Sequence, residues 1–205
     1  MDEAKASQVV RDASQILNGL DLFPFLTCGT LLGYHREGGF IDWDQDLDVG
    51  VFVPSDPSIV KDAFIKRGYK CVADLGANDC GKEYGFKKHG LQYKIDVFFY
   101  YYDKDRDLYW QSVWKGAGET EYSGPLAQMI KYNYFKFGLK EIEFYGCKMY
   151  VPDDVGKFIE MQYGPNWRIP DKNWGWWKSP FNLEKTDVIM PWKKLGWYFD
   201  TGEDV

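Results

Sequence analysis

An α/β or α+β domain on a mixed sheet flanked by helices is the fold class this sequence predicts. Three observations predict it. Helix-like and strand-like stretches alternate through the first third of the chain and then yield to a run of strands. Residues 40–52, FIDWDQDLDVGVF, alternate apolar and acidic side chains with the period of a strand. Glycine, proline and asparagine mark the joins between these stretches.

Taken in order, Val9, Ala13, Ile16, Leu17 and Leu20 share one face of an amphipathic helix running from about Ala4 to Leu20. FPFLTCG reads as a short buried strand, and GTLLGYHREGG as a glycine turn opening a short helix that stops at Gly38 and Gly39. The acidic strand follows. PSDPSIVKDAFIKRG carries the start and stop signals of a further helix, ending at Gly68. Residues 69–102 read as three strands, YKCVADL, KEYGFKKHG and LQYKIDVFFYYY. Beyond them, DLYWQSVWKG and EIEFYGCKMYVP read as strands. DDVGKFIEMQYG reads as a helix capped by Asp153 or Asp154 and ended by Gly164, and NWRIPDKNWGWWKSP as irregular.

The acidic stretch places four carboxylates in seven residues, Asp42 to Asp48. A calcium-binding EF-hand loop is excluded: with Asp44 first, its sixth position is Val49 and its twelfth Ser55, where glycine and glutamate are required. As a strand, Trp43, Leu47, Val49 and Val51 point one way and Asp44, Asp46 and Asp48 the other. Asp46 and Asp48 then stand about 7 Å apart and repel unless a cation joins them. Hard carboxylate oxygens suit magnesium or manganese; a solvated edge strand is the competing reading. Asp96, a lone acid between large apolar residues in KIDVFF, costs free energy unless paired or bound to metal. On a neighbouring strand it joins Asp46 and Asp48; otherwise it forms a buried ion pair with Lys94 or Lys87.

Length and composition bound the partners. The chain of 205 residues predicts one domain, 1–205, with a core over about 25–167 and an aromatic extension over 168–205. A net charge of −6 argues against non-specific nucleic-acid binding. No apolar run of membrane-spanning length occurs, and the N-terminal residues lack the pattern of a signal peptide. Four cysteines without a C-x-x-C pair, and two histidines, point to reduced thiols rather than zinc. His35 and His89 are read as non-catalytic, and the tryptophans Trp167, Trp174, Trp176 and Trp177 as core before ligand platform. A cytoplasmic location is expected, or a secretory compartment if the chain is a piece from which an anchor has been cut.

GTLLGYHREGGFIDWDQDLDVG resembles the LicD family, whose run is G-T-L-L-G, an arginine, G-F-I-P-W-D and D-[IV]-D. Gly29, Thr30, Leu31, Leu32, Gly33, Arg36, Gly39, Phe40, Ile41, Trp43, Asp44, Asp46 and Asp48 fall on it. KIDVFF resembles the family's third-acid strand, and VPDDVGKFIEMQYGPNW its closing segment. Asp42 stands where the family commonly has proline, and the cysteine insertion of the fukutin-related branch is missing.

The resemblance implies a nucleotidyltransferase-like fold of the polymerase beta kind. It also implies transfer of a phospho-substituted group, phosphocholine or ribitol phosphate, from a CDP-linked donor to a glycan hydroxyl, releasing CMP. On that basis Asp46, Asp48 and Asp96 are assigned to metal (Mg2+ or Mn2+) and catalysis. Gly29, Thr30 and Arg36 are assigned to the donor phosphates, and Asp44 to orienting the site or capping a turn. The alternatives are nucleotidyl transfer from an NTP with release of pyrophosphate, and a catalytically silent sugar or nucleotide binder.

Overall fold

The computed structural model describes residues 3–116 and 126–191; the last part of the expected aromatic extension, 192–205, lies outside them. The chain begins with α1 (Glu3–Asn18), β1 (Phe25–Leu26), α2 (Cys28–Glu37), β2 (Asp46–Phe52) and α3 (Ser58–Lys66). Strands β3 (Lys70–Ala77), β4 (Cys80–Lys87), β5 (Lys94–Asp103), β6 (Leu108–Gly116), β7 (Leu126–Phe135), β8 (Leu139–Phe144) and β9 (Cys147–Pro152) follow. Helix α4 (Val155–Tyr163), a 3-10 turn (Trp176–Lys178) and β10 (Leu183–Pro191) end it. No helix among the described residues is long and apolar enough to cross a membrane.

Ten strands form one mixed sheet in the order β10-β7-β6-β5-β2-β1-β9-β8, and β3 and β4 branch from β5. This is the α+β, nucleotidyltransferase-like arrangement that the sequence predicts. The pairing of β2 with β5 is parallel, so the chain between them must cross over, and α3, β3 and β4 make that crossing. Strand β5 is the shared beam. Its first half lies between β2 and β4, and its last residues pair with β6.

The caps are where the sequence places them. Gly38 adopts φ 77° to end α2, and the Asp154 carboxylate accepts from the Lys157 amide at 3.1 Å to start α4. Four differences are instructive. β1 has only two residues, because α2 begins at Cys28, one residue before the glycine turn. Trp43 precedes β2 and is 44% exposed, since a turn closed by the Asp44 amide on the Ile41 carbonyl (2.9 Å) takes it off the apolar face. Strands β7 and β10 are not readable from the sequence. In β7 the half-buried Gln128, Lys131 and Asn133 interrupt the buried residues; in β10 the register shifts between Lys185 and Ile189.

One face of the central sheet carries Leu47, Val49, Val51, Ile95 and Val97, all fully buried. Helices α1 and α3 cover it, and Phe64 of α3 stacks on Phe86 at 4.2 Å. Each such side chain contributes about 1.5–3 kcal/mol by leaving water. The other face carries the acids at one end and an aromatic cluster at the other, where Phe25, Tyr100, Phe137 and Phe158 meet edge to face. Gly50 allows this: a Cβ there would lie 2.4 Å from the Phe25 ring and 2.8 Å from the Tyr100 ring. Gly50→Ala is therefore expected to lower stability by about 1–3 kcal/mol through overpacking, checked by urea unfolding.

Candidate active site

The acid end of this face is set by register. Asp46 stands opposite Lys94 and Asp48 opposite Asp96, so Asp96 does lie on the strand beside the acidic one. Asp48 is 7% exposed and Asp96 4%.

Asp48 is held from three sides. Its carboxylate accepts the Gly29 amide at 3.0 Å and the Thr30 amide at 3.4 Å, while its own amide donates to the Thr30 hydroxyl at 2.8 Å. The amides that the sequence assigns to a donor phosphate are thus given to Asp48. The positive end of α2 faces a carboxylate of the protein itself. Gly29 leaves room for Asp44, because a Cβ there would lie 2.4 Å from the Asp44 carboxylate.

One carboxylate oxygen each from Asp44, Asp46 and Asp48 lies within 4.8 Å of the others. Asp44 joins this cluster from the turn before β2, a more direct position than the supporting one expected of it. Asp96 is outside the group: its Oδ2 pairs with Lys94 at 2.7 Å, the ion pair that was the alternative reading, while its buried Oδ1 has no hydrogen-bond partner. Arg36 binds Glu37 at 2.5 Å and the Trp167 carbonyl at 3.3 Å.

Crowding of like charges in a buried place raises their proton affinity. Burial, then the neighbouring Asp46, pushes Asp44 up to about 8. Burial and the charges of Asp46, Asp44 and Asp96 push Asp48 well above the usual carboxylate range. Asp96 is pushed up to about 6 by burial, against the pull of Lys94.

These residues line a cavity of about 850 Å3 that also takes in Arg36, Glu83, Trp114 and the segment from Tyr163 to Trp177. Of the tryptophans, Trp167 is buried at 6% exposure, as expected for core. Trp174, Trp176 and the 60%-exposed Trp177 form a cavity wall instead. Tyr132 fixes that wall by donating to the Trp176 carbonyl at 2.6 Å, and Trp174 packs on Tyr163 at 4.3 Å. Trp43 lines the cavity under Lys172, whose ammonium lies 4.7 Å from its ring. The four cysteines form no disulfide.

Sequence reasoning missed Glu83. It lies on β4 opposite Phe98, on the face that carries Asp96, and lines the cavity. The available signal was the G-x-E-x-G pattern of Gly81, Glu83 and Gly85, which puts a glutamate between two bare positions on one strand face.

A family model described as "LicD/FKTN/FKRP, nucleotidyltransferase domain" matches residues 22–154. The chain belongs to this family. It is similar to the human "Ribitol-5-phosphate transferase FKTN", 30% identical over 192 residues, covering 93% of this chain and 39% of that protein. The mouse protein of the same name is 29% identical over 194 residues, covering 93% and 40%. An uncharacterised Caenorhabditis elegans protein is 24% identical over 187 residues, covering 87% and 47%. The chain thus spans about two fifths of the length of the named transferases.

Two outcomes follow from the crowded acids. In metal-free protein the raised carboxyls bind more protons folded than unfolded, where the usual value is about 4. Stability therefore falls as pH rises from about 4 to 8, the values reached by Asp96 and Asp44 defining the steep part. Thermal melts in a chelator are expected to show this slope, and Asp44→Asn to flatten it. Gly29→Ala displaces the Asp44 carboxylate and is expected to weaken Mn2+ binding at least about tenfold with folding retained, read by calorimetry and circular dichroism.

Proposed function

We propose that this chain transfers a phospho-substituted group from a CDP-linked donor to a glycan hydroxyl, in a reaction dependent on Mg2+ or Mn2+, and releases CMP. One observation carries the reading: in a LicD-family chain, Asp44, Asp46 and Asp48 aim their oxygens at a common point on the floor of a large cavity. The donor set fits the ion. Three carboxylates without sulfur or imidazole suit a hard divalent cation. Their mutual repulsion is relieved when it binds. Such an ion supplies charge neutralisation on the phosphoryl oxygens.

The chain's own groups do the rest. Gly29 and Thr30 hold Asp48 in place through their amides rather than meeting the donor themselves. Arg36, at the cavity edge, offers its guanidinium to the donor diphosphate in exchange for Glu37. Asp96 is the proton acceptor. As the acceptor oxygen bonds to the phosphorus that bears the head group, its proton passes to the Asp96 carboxylate, and the phosphorus–oxygen bond to CMP breaks. A group that titrates near 6 is matched to that task at neutral pH, and the Lys94 pair keeps it oriented. The same pair keeps Asp96 out of the Asp44, Asp46 and Asp48 cluster that would hold the ion. The matched relatives named as ribitol-5-phosphate transferases make ribitol phosphate the first head group to test.

CDP-ribitol, CDP-glycerol, CDP-choline and CTP, each with Mg2+ or Mn2+, provide the test. Release of CMP from a CDP-linked donor is expected, with a loss of about 100-fold or more in Asp46→Ala and in Asp48→Ala. Pyrophosphate from CTP alone replaces this reading with nucleotidyl transfer. No turnover, together with equal metal binding by wild type and variants, leaves a sugar or nucleotide binder.

A further inference from the structure

Glu83 is a carboxylate in an unusual place. Across the sheet it is flanked by Leu75 on β3 and Phe98 on β5, both buried. Along β4, its neighbours on the same face are Gly81, covered by Ser112 and Met129, and Gly85, covered by Ala73 and the Asp96 carboxylate. Of the described residues none donates a hydrogen bond to it. Its charged neighbours are Asp96, which repels it, and Lys94, which attracts it; a ligand that brings hydrogen-bonding groups would supply the bonds that these do not.

Two features of the same corner show which kind of ligand fits. Trp114, on β6, is pinned by its indole N–H to the Gly81 carbonyl at 2.9 Å, so a fixed ring two residues from Glu83 lines the cavity. The second is the unpartnered Oδ1 of Asp96, one row away on the shared face. A Cβ at Gly85 would lie 3.0 Å from it. The absence of that Cβ gives the Asp96 oxygen its seat over Gly85. A rigid aromatic ring and two carboxylates lining one cavity match a sugar ring, whose C–H face stacks on an indole and whose hydroxyls bond to carboxylates.

We propose that Glu83 and Trp114 form the acceptor-sugar subsite, orienting the ring so that one hydroxyl reaches the Asp96 carboxylate. The assignment rests on the transfer reading above and deepens it. Glu83 binds the hydroxyls that do not react. Burial, reinforced by the charge of Asp96, holds its carboxyl up at about 8, and as a neutral acid it both donates and accepts. The wall of Trp174, Trp176 and Trp177 is left to the donor side.

Full-length chain and its Glu83→Ala, Glu83→Gln and Trp114→Ala variants provide the test, with methyl glycosides of glucose, galactose and N-acetylglucosamine as probes. Saturation-transfer NMR, which needs no donor, is expected to show glycoside contact in wild type and a loss of fivefold or more in Glu83→Ala. With the active CDP donor, the ratio of glycoside product to hydrolysed donor is expected to fall at least tenfold in Glu83→Ala. Glu83→Gln should recover part of it, because an amide still bonds hydroxyls. Trp114→Ala should raise the glycoside KM more than it lowers kcat. Equal NMR contact in wild type and Glu83→Ala, no contact in wild type, or a product ratio within twofold of wild type in both Glu83 variants overturns the proposal. Failure of the parent reading looks different: wild type releases no CMP from any CDP donor, whatever the NMR shows.

Discussion

The structure around the site depends on one contact, the carboxylate of Asp48 against the amide end of α2. A buried acid beside two other acids is costly, and the Gly29 and Thr30 amides offset part of that cost with hydrogen bonds and the helix dipole. The same contact ties α2 to β2, with the Thr30 hydroxyl returning the bond to the Asp48 amide and the Thr27 amide donating to the Asp48 carbonyl at 3.2 Å. Strand and helix are thereby locked into the register that aims Asp46 and Asp48 into the cavity. Stability is given up locally so that charge stands where a cation or phosphate would be met.

Much of this was legible in the sequence, for physical reasons that differ by element. The acidic strand announced itself because a period of two cannot be mistaken over seven residues when one face is apolar and the other charged. Asp96 was legible by isolation, since a single acid among Ile95, Val97 and Phe98 has to be accounted for. The helix ends were written in Gly38, Asp154 and Gly164. Strand β7 was not legible because Gln128, Lys131 and Asn133 interrupt its apolar pattern; they are satisfied only by partners far along the chain, Asn133 by Glu184 at 2.7 Å and Lys131 by the ring of Trp110 at 4.3 Å.

The site was legible in its members more than in its arrangement. Asp44, Asp46, Asp48 and Asp96 were all named, but a residue's partners follow from side-chain direction. Lys94 is two positions from Asp96 on the same strand face, and that adjacency was enough to divert one oxygen. Gly29 and Thr30 were read by their backbone setting, which is correct, while the anion they meet belongs to the chain. Glu83 sat within KEYGFKK, where lysines on both sides give it the look of a solvated hairpin; only its pairing with Phe98 and Leu75 reveals the face it occupies.

The cavity draws its acidic floor from residues 44–96 and much of its aromatic wall from residues 163–177. During synthesis the floor leaves the ribosome well before the wall. Under the transfer proposed above, the tryptophan segment would be a late seal, the last part of the cavity to be made and the part that favours a sugar's oxygen over the solvent's.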